Sequence, residues 1–308
     1  MKVFLIKAFL FSAIILSVLF LVSYINRPAT NIHNDYMAAI IDKHDRLAET
    51  DGRRLLLVGG SNLAFGINSE RLEKEFQLPV VNMGLHAGLG HEFIINEAIS
   101  QVRKGDVLIL SLEYSLYNPD KEPDVALIDH TQEIYPAAEA YYSFSLKNWE
   151  SLFYGNFKRA LEKSKIDTTT VYNRKSFNKW GDVIAHLDKK GRTKLIGKGK
   201  WNNLTVGNTK LFYKLSDKCK AVGAKLFIVF PDYPRSEYEL NEMASKTLEA
   251  QIRKEISFIP IICTPETFVM DDTCFFDTVY HLNKSGREMR TDKLIALLRN
   301  TLPAITGL

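Results

Sequence analysis

The tightest constraint on the fold is a set of short runs that stay apolar where a half-wetted strand would alternate. They are Arg54-Leu55-Leu56-Leu57-Val58, Asp106-Val107-Leu108-Ile109-Leu110-Ser111-Leu112 and Lys225-Leu226-Phe227-Ile228-Val229-Phe230. Runs this short and this apolar read as strands buried on both faces, which is the condition of a parallel sheet. Helix-like segments separate them, at Ser69–Phe76, His91–Arg103, Thr209–Val222, Glu237–Ile256 and Ser285–Arg299. Pro79–Gly84 reads as one further strand and Phe258–Cys263 as a weaker fifth. The alternation predicts an α/β fold, a three-layer α/β/α sandwich with right-handed crossovers. Ligands of such sheets sit outside the carboxyl ends of the strands. Small and polar residues collect there: Ser61 and Asn62, Asn82 and Gly84, Glu113 and Tyr114, then Asp277 and His281 beyond the fifth strand. One shared cleft is expected.

The N-terminus imposes a second constraint. Val3 to Ile25 is broken only by Lys7, and Ala8 to Ile25 is about long enough to cross a bilayer core. No small-x-small cleavage pattern precedes Arg27-Pro28, so residues 1–27 read as an uncleaved transmembrane signal-anchor, with a cleaved signal peptide as the alternative. Lys2, Lys7 and the amine precede the span and only Arg27 follows closely, which keeps the amine in the cytoplasm and exports the rest. Residues 28–52 then form a connecting segment, and 53–308 the domain.

The remaining bulk properties mainly exclude. The 308 residues carry a net charge of only +4, with lysine and arginine scattered among nearly as many acids, so nothing argues for nucleic acid. Cys219, Cys263 and Cys274 fit no zinc spacing, and neither a metal nor a cofactor is implied. Cys263 and Cys274 are spaced for a short-loop disulfide in an oxidising compartment, though an odd count decides nothing. Residues 117–208 interrupt the alternation and are too long for a plain loop, so they form an insert with structure of its own. Its aromatics, among them Tyr135, Tyr141, Tyr142, Trp149 and Tyr154, either pack the insert on the sheet or form a sugar- or lipid-contacting rim. Its Lys/Gly-rich stretch, 189–200, reads as a solvated loop.

Ser61 follows a buried strand and two glycines, the placement that exposes a hydroxyl while turning the backbone N–H into a cleft. Gly59-Gly60-Ser61 lacks the lysine of a phosphate loop and the spacing of a dinucleotide fingerprint. A serine nucleophile needs a base, and the base an orienting acid. Asp277 and His281 stand close together before the last helix, which raises His281 above His33, His44, His130 and His186.

These residues resemble the SGNH, or GDSL, hydrolase superfamily. Gly59-Gly60-Ser61 is similar to its first block, Asn82-Met83-Gly84-Leu85-His86-Ala87-Gly88 to its Asn-x-Gly-x-x-Gly with one residue added, and Asp277 to His281 to its Asp-x-x-His, again with one added. The resemblance covers about residues 53–115 and 208–300. It implies a serine esterase, lipase or acyltransferase with Ser61 as nucleophile, His281 as base and Asp277 as its orienting acid. The N–H groups of Ser61 and Gly84 would form the oxyanion hole. Gly60 replaces the usual aspartate, and the third block's asparagine is missing, since that strand ends Ser111-Leu112-Glu113-Tyr114. Asn62 is the candidate replacement donor, and Asn82, His86, Glu113 and Tyr114 are the candidate pocket residues. Glu113 is expected to face some partner other than the oxyanion.

Membrane-anchored members of the superfamily have this arrangement and act in acyl transfer onto cell-envelope polymers, beside a multi-spanning membrane O-acyltransferase. The resemblance therefore implies an exported enzyme that moves or removes acyl, foremost acetyl, groups of an envelope glycan. The alternative is a catalytically degenerate domain that binds glycan or scaffolds such a complex.

Overall fold

The computed structural model describes residues 1–25, 33–145, 147–161, 171–201 and 204–301. Within them the chain is α/β, preceded by one apolar helix. Helix α1 (Lys2–Ile25) is long and apolar enough to cross a membrane, and its stretch Lys2–Leu21 is not buried. Arg27 and the first part of the connecting segment, to residue 32, lie outside the described residues.

The sheet is parallel, built from β1 (Leu55–Gly59), β2 (Val80–Asn82), β3 (Val107–Ser111) and β4 (Lys225–Ile228) in the order β2-β1-β3-β4. In register, Leu56 lies between Val81 and Leu108. Every residue of β1, β2 and β3 is buried, so positions of both pleat directions are covered, as the unbroken apolar runs require. The charged residues at the heads of two runs are explained by one fork. Arg54 and Asp106, both fully buried, pair through Nη2 and Oδ2 at 2.7 Å and Nε and Oδ1 at 3.2 Å, while Arg54 also donates to Leu47 O and Gln101 O. A buried guanidinium is tolerable only with its donors and charge satisfied in this way.

The expected fifth strand reduces to a single parallel bridge, Ile228 to Ile261. Pro260 in its middle lacks an N–H and contributes only its carbonyl, to Ile228 N. The long helix expected over Glu237–Ile256 breaks into α9 (Arg235–Leu240) and α10 (Glu242–Glu255) at Asn241. The Asn241 side chain ties the break to the insert: it accepts from Trp201 N and donates to Gly199 O as well as to Glu237 O of α9. Helices α4 (Ser69–Phe76), α5 (Gly90–Gln101), α8 (Thr209–Val222) and α11 (Lys284–Thr301) follow the expected segments, and a short helix not among them, α3 (Ser61–Gly66), follows β1; α5 packs on α8, and α11 on α3 and α4.

The connecting segment is not a bare tether. From Tyr36 it enters the core, with Met37 to Ile40 and Leu47 of helix α2 (Ala39–Glu49) buried. Lys43 is buried too and donates to Asn82 O at 2.8 Å and Gly181 O at 2.6 Å, joining β2 to the insert. Burial lowers its ammonium to about 7, against the opposing pull of Asp182. In the insert, α6 (Val125–Ile134) and α7 (Asn148–Leu161) pair, with no room for a side chain on Gly155, whose Cβ would lie 2.4 Å from that of Ala126. Its aromatics divide. Tyr141 packs edge-on against Phe93, while Trp149 and Tyr154 on α7 are exposed, on the helix that touches α1. Residues 162–170 of the insert lie outside the described residues.

Candidate active site

Ser61 is the first residue of α3, which starts directly after β1. Gly60, in extended conformation, turns the chain there, and Ser61 remains partly exposed. As a first helical residue, Ser61 has no acceptor for its N–H within the helix. His281 and Asp277 sit on a hairpin closed by the antiparallel bridge Phe275 to Leu282 and by Phe276 N donating to His281 O at 2.7 Å. This hairpin takes up the extra residue between acid and base.

The three side chains form one hydrogen-bonded line. His281 Nε2 is 2.9 Å from Ser61 Oγ, and His281 Nδ1 is 2.8 Å from Asp277 Oδ1. Phe65, one turn along α3 from Ser61, stacks flat on the imidazole, with ring centroids 3.9 Å apart and 7° between planes. Only 6% of His281 and 5% of Asp277 is exposed. Burial opposes the Asp277 charge, but the hydrogen bond and charge of His281, the hydrogen bond of Tyr172 and the charge of Arg192 outweigh it and hold the carboxyl below its usual range. Asp277 therefore accepts from Nδ1–H, which leaves the lone pair of Nε2 toward the serine.

Tyr172, in the insert, was not foreseen. Its hydroxyl donates to Asp277 Oδ2 and lies 3.2 Å from His281 Nδ1. Burial, then the bond to Asp277, raises the phenol well above its usual range, so it stays a donor. Tyr36 adjoins it, 5.9 Å between centroids, and donates to Leu85 O. The other histidines with described partners bond elsewhere: His44 to Glu97, His86 to Gly88 N, His91 to Asn208, His130 to Asp35 and His186 to Leu282 O.

The expected oxyanion donors fare unequally. Asn62 is wholly buried, its amide donating to Ser111 O at 3.0 Å, so its side chain is turned from the cleft. The N–H of Gly84 is engaged by Asn82 Oδ1 at 3.0 Å. That glycine is required by close approach, since a Cβ there would lie 2.6 Å from Gly60 O. Of the three expected donors, Ser61 N is the one with no acceptor shown among the described residues.

Two pocket candidates are structural. Asn82 is fully buried and donates to Leu63 O and Asp182 Oδ1. Asp182 also accepts from Ser69 and from Arg287 of α11, so it joins the insert to α4 and α11. Tyr114 is fully buried among Trp201, Phe230 and Tyr233. His86 is exposed, edge-on to Tyr36, with Nδ1 accepting from Gly88 N. Glu113 is 1% exposed and accepts from Asn62 N at 3.2 Å, which caps α3. Behind the same turn, Arg290 of α11 pairs with buried Asp232 and donates to Asn62 O at 2.7 Å and Ser111 Oγ at 3.1 Å. Cys263 and Cys274 are free thiols, and Cys263 Sγ accepts from Phe230 N.

No family model matches the chain, and no curated protein matches it.

Proposed function

We propose that the chain is a membrane-anchored serine esterase or O-acyltransferase that acts through an acyl-enzyme on Ser61. The observation that carries this reading is the continuous line Ser61 Oγ, His281 Nε2, His281 Nδ1, Asp277 Oδ1, with contacts of 2.9 and 2.8 Å. In the reaction, Oγ attacks an ester carbonyl carbon as its proton passes to Nε2, and the carbonyl oxygen gains the negative charge beside the Ser61 N–H. Collapse expels the alcohol, which takes the proton from Nε2, and leaves Ser61 acylated. A water or sugar hydroxyl then attacks the acyl carbon by the reverse route.

The domain is read as a three-layer α/β/α sandwich of SGNH type, with α5 and α8 in one outer layer and α3 and α11 in the other. α1 anchors it in the cell membrane with the amine in the cytoplasm, so the domain works outside the cytoplasm on acyl, foremost acetyl, groups of an envelope glycan. A multi-spanning membrane O-acyltransferase is the proposed partner.

A second reading, a degenerate domain that binds glycan or scaffolds the complex, is favoured by the donors already committed at Asn62 and Gly84. Labelling the purified protein with a fluorophosphonate probe separates them. The esterase reading expects labelling that Ser61→Ala abolishes; an unlabelled wild-type protein leaves the binding role.

A further inference from the structure

Residues 189–200 carry Lys189, Lys190, Arg192, Lys194, Lys198 and Lys200, with no acidic residue among them, and all six cations are exposed. A charge run of this kind is ordinarily a solvated face. Here it is pinned along the catalytic hairpin. Arg192 N donates to Phe276 O at 2.5 Å, Ile196 N to the carbonyl of Asp277 itself at 2.8 Å, and Val279 N returns to Ile196 O at 3.0 Å. Leu195 is buried beneath it. The strip therefore forms one edge of the site rather than an excursion from it.

Its charges are also largely unspent. Lys198 is held by Asp272 at 2.9 Å and lies 3.8 Å from Glu237. Among the described residues, no carboxylate lies within ion-pair distance of Lys190, Arg192, Lys194 or Lys200. Arg192 is near enough to act electrostatically on both Asp277 and Tyr172.

We propose that this strip is a docking track for an anionic polysaccharide, one with a carboxylate or phosphate on its repeat, and that it feeds the polymer's ester groups to Ser61. The second half of that statement rests on the esterase reading; the first does not. A polymer fits better than a small anion because the cations are strung along the chain rather than converging on one point. With a screening length of about 10 Å at 0.1 M salt, an exposed cation attracts an anion only at short range, and useful affinity comes from summing several such contacts along one ligand. A nucleic acid fits less well, since residues 189–200 hold no aromatic side chain on which a base would stack.

The test uses the full chain in detergent micelles, as Ser61→Ala so that nothing turns over. Binding is measured by thermophoresis to polygalacturonate, to a phosphomannan and to neutral dextran. One or both anionic polymers should bind and dextran should not, which also tells carboxylate from phosphate. Raising salt from about 50 to about 500 mM should weaken binding by roughly tenfold or more, as the added ions screen every cation–anion contact. Lys190→Ser with Lys194→Ser should weaken it severalfold, and the control pair Lys214→Ser with Lys218→Ser on α8 should not. In the protein with Ser61 intact, bound polymer should slow fluorophosphonate labelling. Equal binding of dextran, indifference to salt, or equal effects of the two lysine pairs would overturn the track. Binding that leaves labelling unslowed would overturn its placement at the cleft. A wild-type protein that never labels refutes the esterase reading alone, and the binding arm still decides the strip.

Discussion

The Glu113 carboxylate fills the space that a side chain on Gly60 would need: both of its oxygens lie 2.4 Å from where a Cβ at position 60 would stand. The carboxyl group at position 60's shoulder thus comes from just beyond β3, where it caps α3 through Asn62 N. Gly60→Ala must displace a buried carboxylate. It is expected to destabilise the protein by about 1–3 kcal/mol, the usual range for overpacking, and urea denaturation measures it. Wild-type stability in this variant would show that Glu113 moves aside freely.

Glu113 also predicts a pH dependence. Burial, opposed by backbone hydrogen bonds from its own N–H and that of Asn62, raises its carboxyl from 4.5 to about 7. The folded state then holds this proton over a pH range in which the unfolded chain has released it. Stability from this group is complete below about 4.5 and falls as pH rises toward 7. The limiting loss is about 3 kcal/mol. Asp232, raised by burial to about 6, acts in the same direction, so the informative quantity is the difference between wild type and Glu113→Gln. Denaturation at pH 5 and pH 8 should show a smaller fall in the variant; parallel falls would mean that Glu113 is ionised throughout.

Asp277→Asn should slow ester turnover by a large factor, up to roughly ten-thousandfold by analogy with serine proteases, with little change in melting temperature. An unchanged rate with a lowered melting point would reduce Asp277 to a loop-capping residue, worth about 1 kcal/mol.

Tyr172→Phe removes one hydroxyl, which donates to the far oxygen of that carboxylate and lies 3.2 Å from His281 Nδ1. A hydrogen bond to a charged group contributes about 1.5–3 kcal/mol, so labelling of Ser61 should slow by roughly ten- to a hundredfold if most of it is used in orienting the acid. The melting temperature is read on the same samples. A rate equal to wild type would make Tyr172 a packing residue.

The proposed anchor carries a topological expectation. Protease added to intact spheroplasts should digest the domain, and protection until lysis would place it in the cytoplasm.

What was legible in the chain depended on local pattern. Ser61 follows a buried strand and two glycines, and Asp277 and His281 lie four residues apart before a helix, so each announces itself within a short window. Tyr172 has no such window, because its link to Asp277 spans 105 residues through an irregular insert. Asn62, Asn82 and Tyr114 stand at the strand ends as expected, yet position at a strand end does not tell which way a side chain turns. Asn62 and Asn82 turned inward to satisfy backbone carbonyls, and Tyr114 joined an aromatic cluster. The place of Glu113 beside Gly60 and Asn62 N is hidden in the sequence, because Gly60 reveals a vacancy only in three dimensions. The apparent linker concealed core residues because Met37 to Ile40 is too short an apolar patch to outweigh its polar flanks.

The bond between Ser61 and His281 joins residues 220 positions apart, and Arg290 of the last helix braces the nucleophile turn from still later in the chain. A ribosome therefore finishes the nucleophile long before it makes the base. Any product that stops short of residue 281 has a serine with no proton acceptor, and one that stops before 290 has a turn with no brace. Nonsense or frameshift lesions as late as codon 280 should thus be null for the proposed activity, since Ser61 would lack the imidazole that faces it.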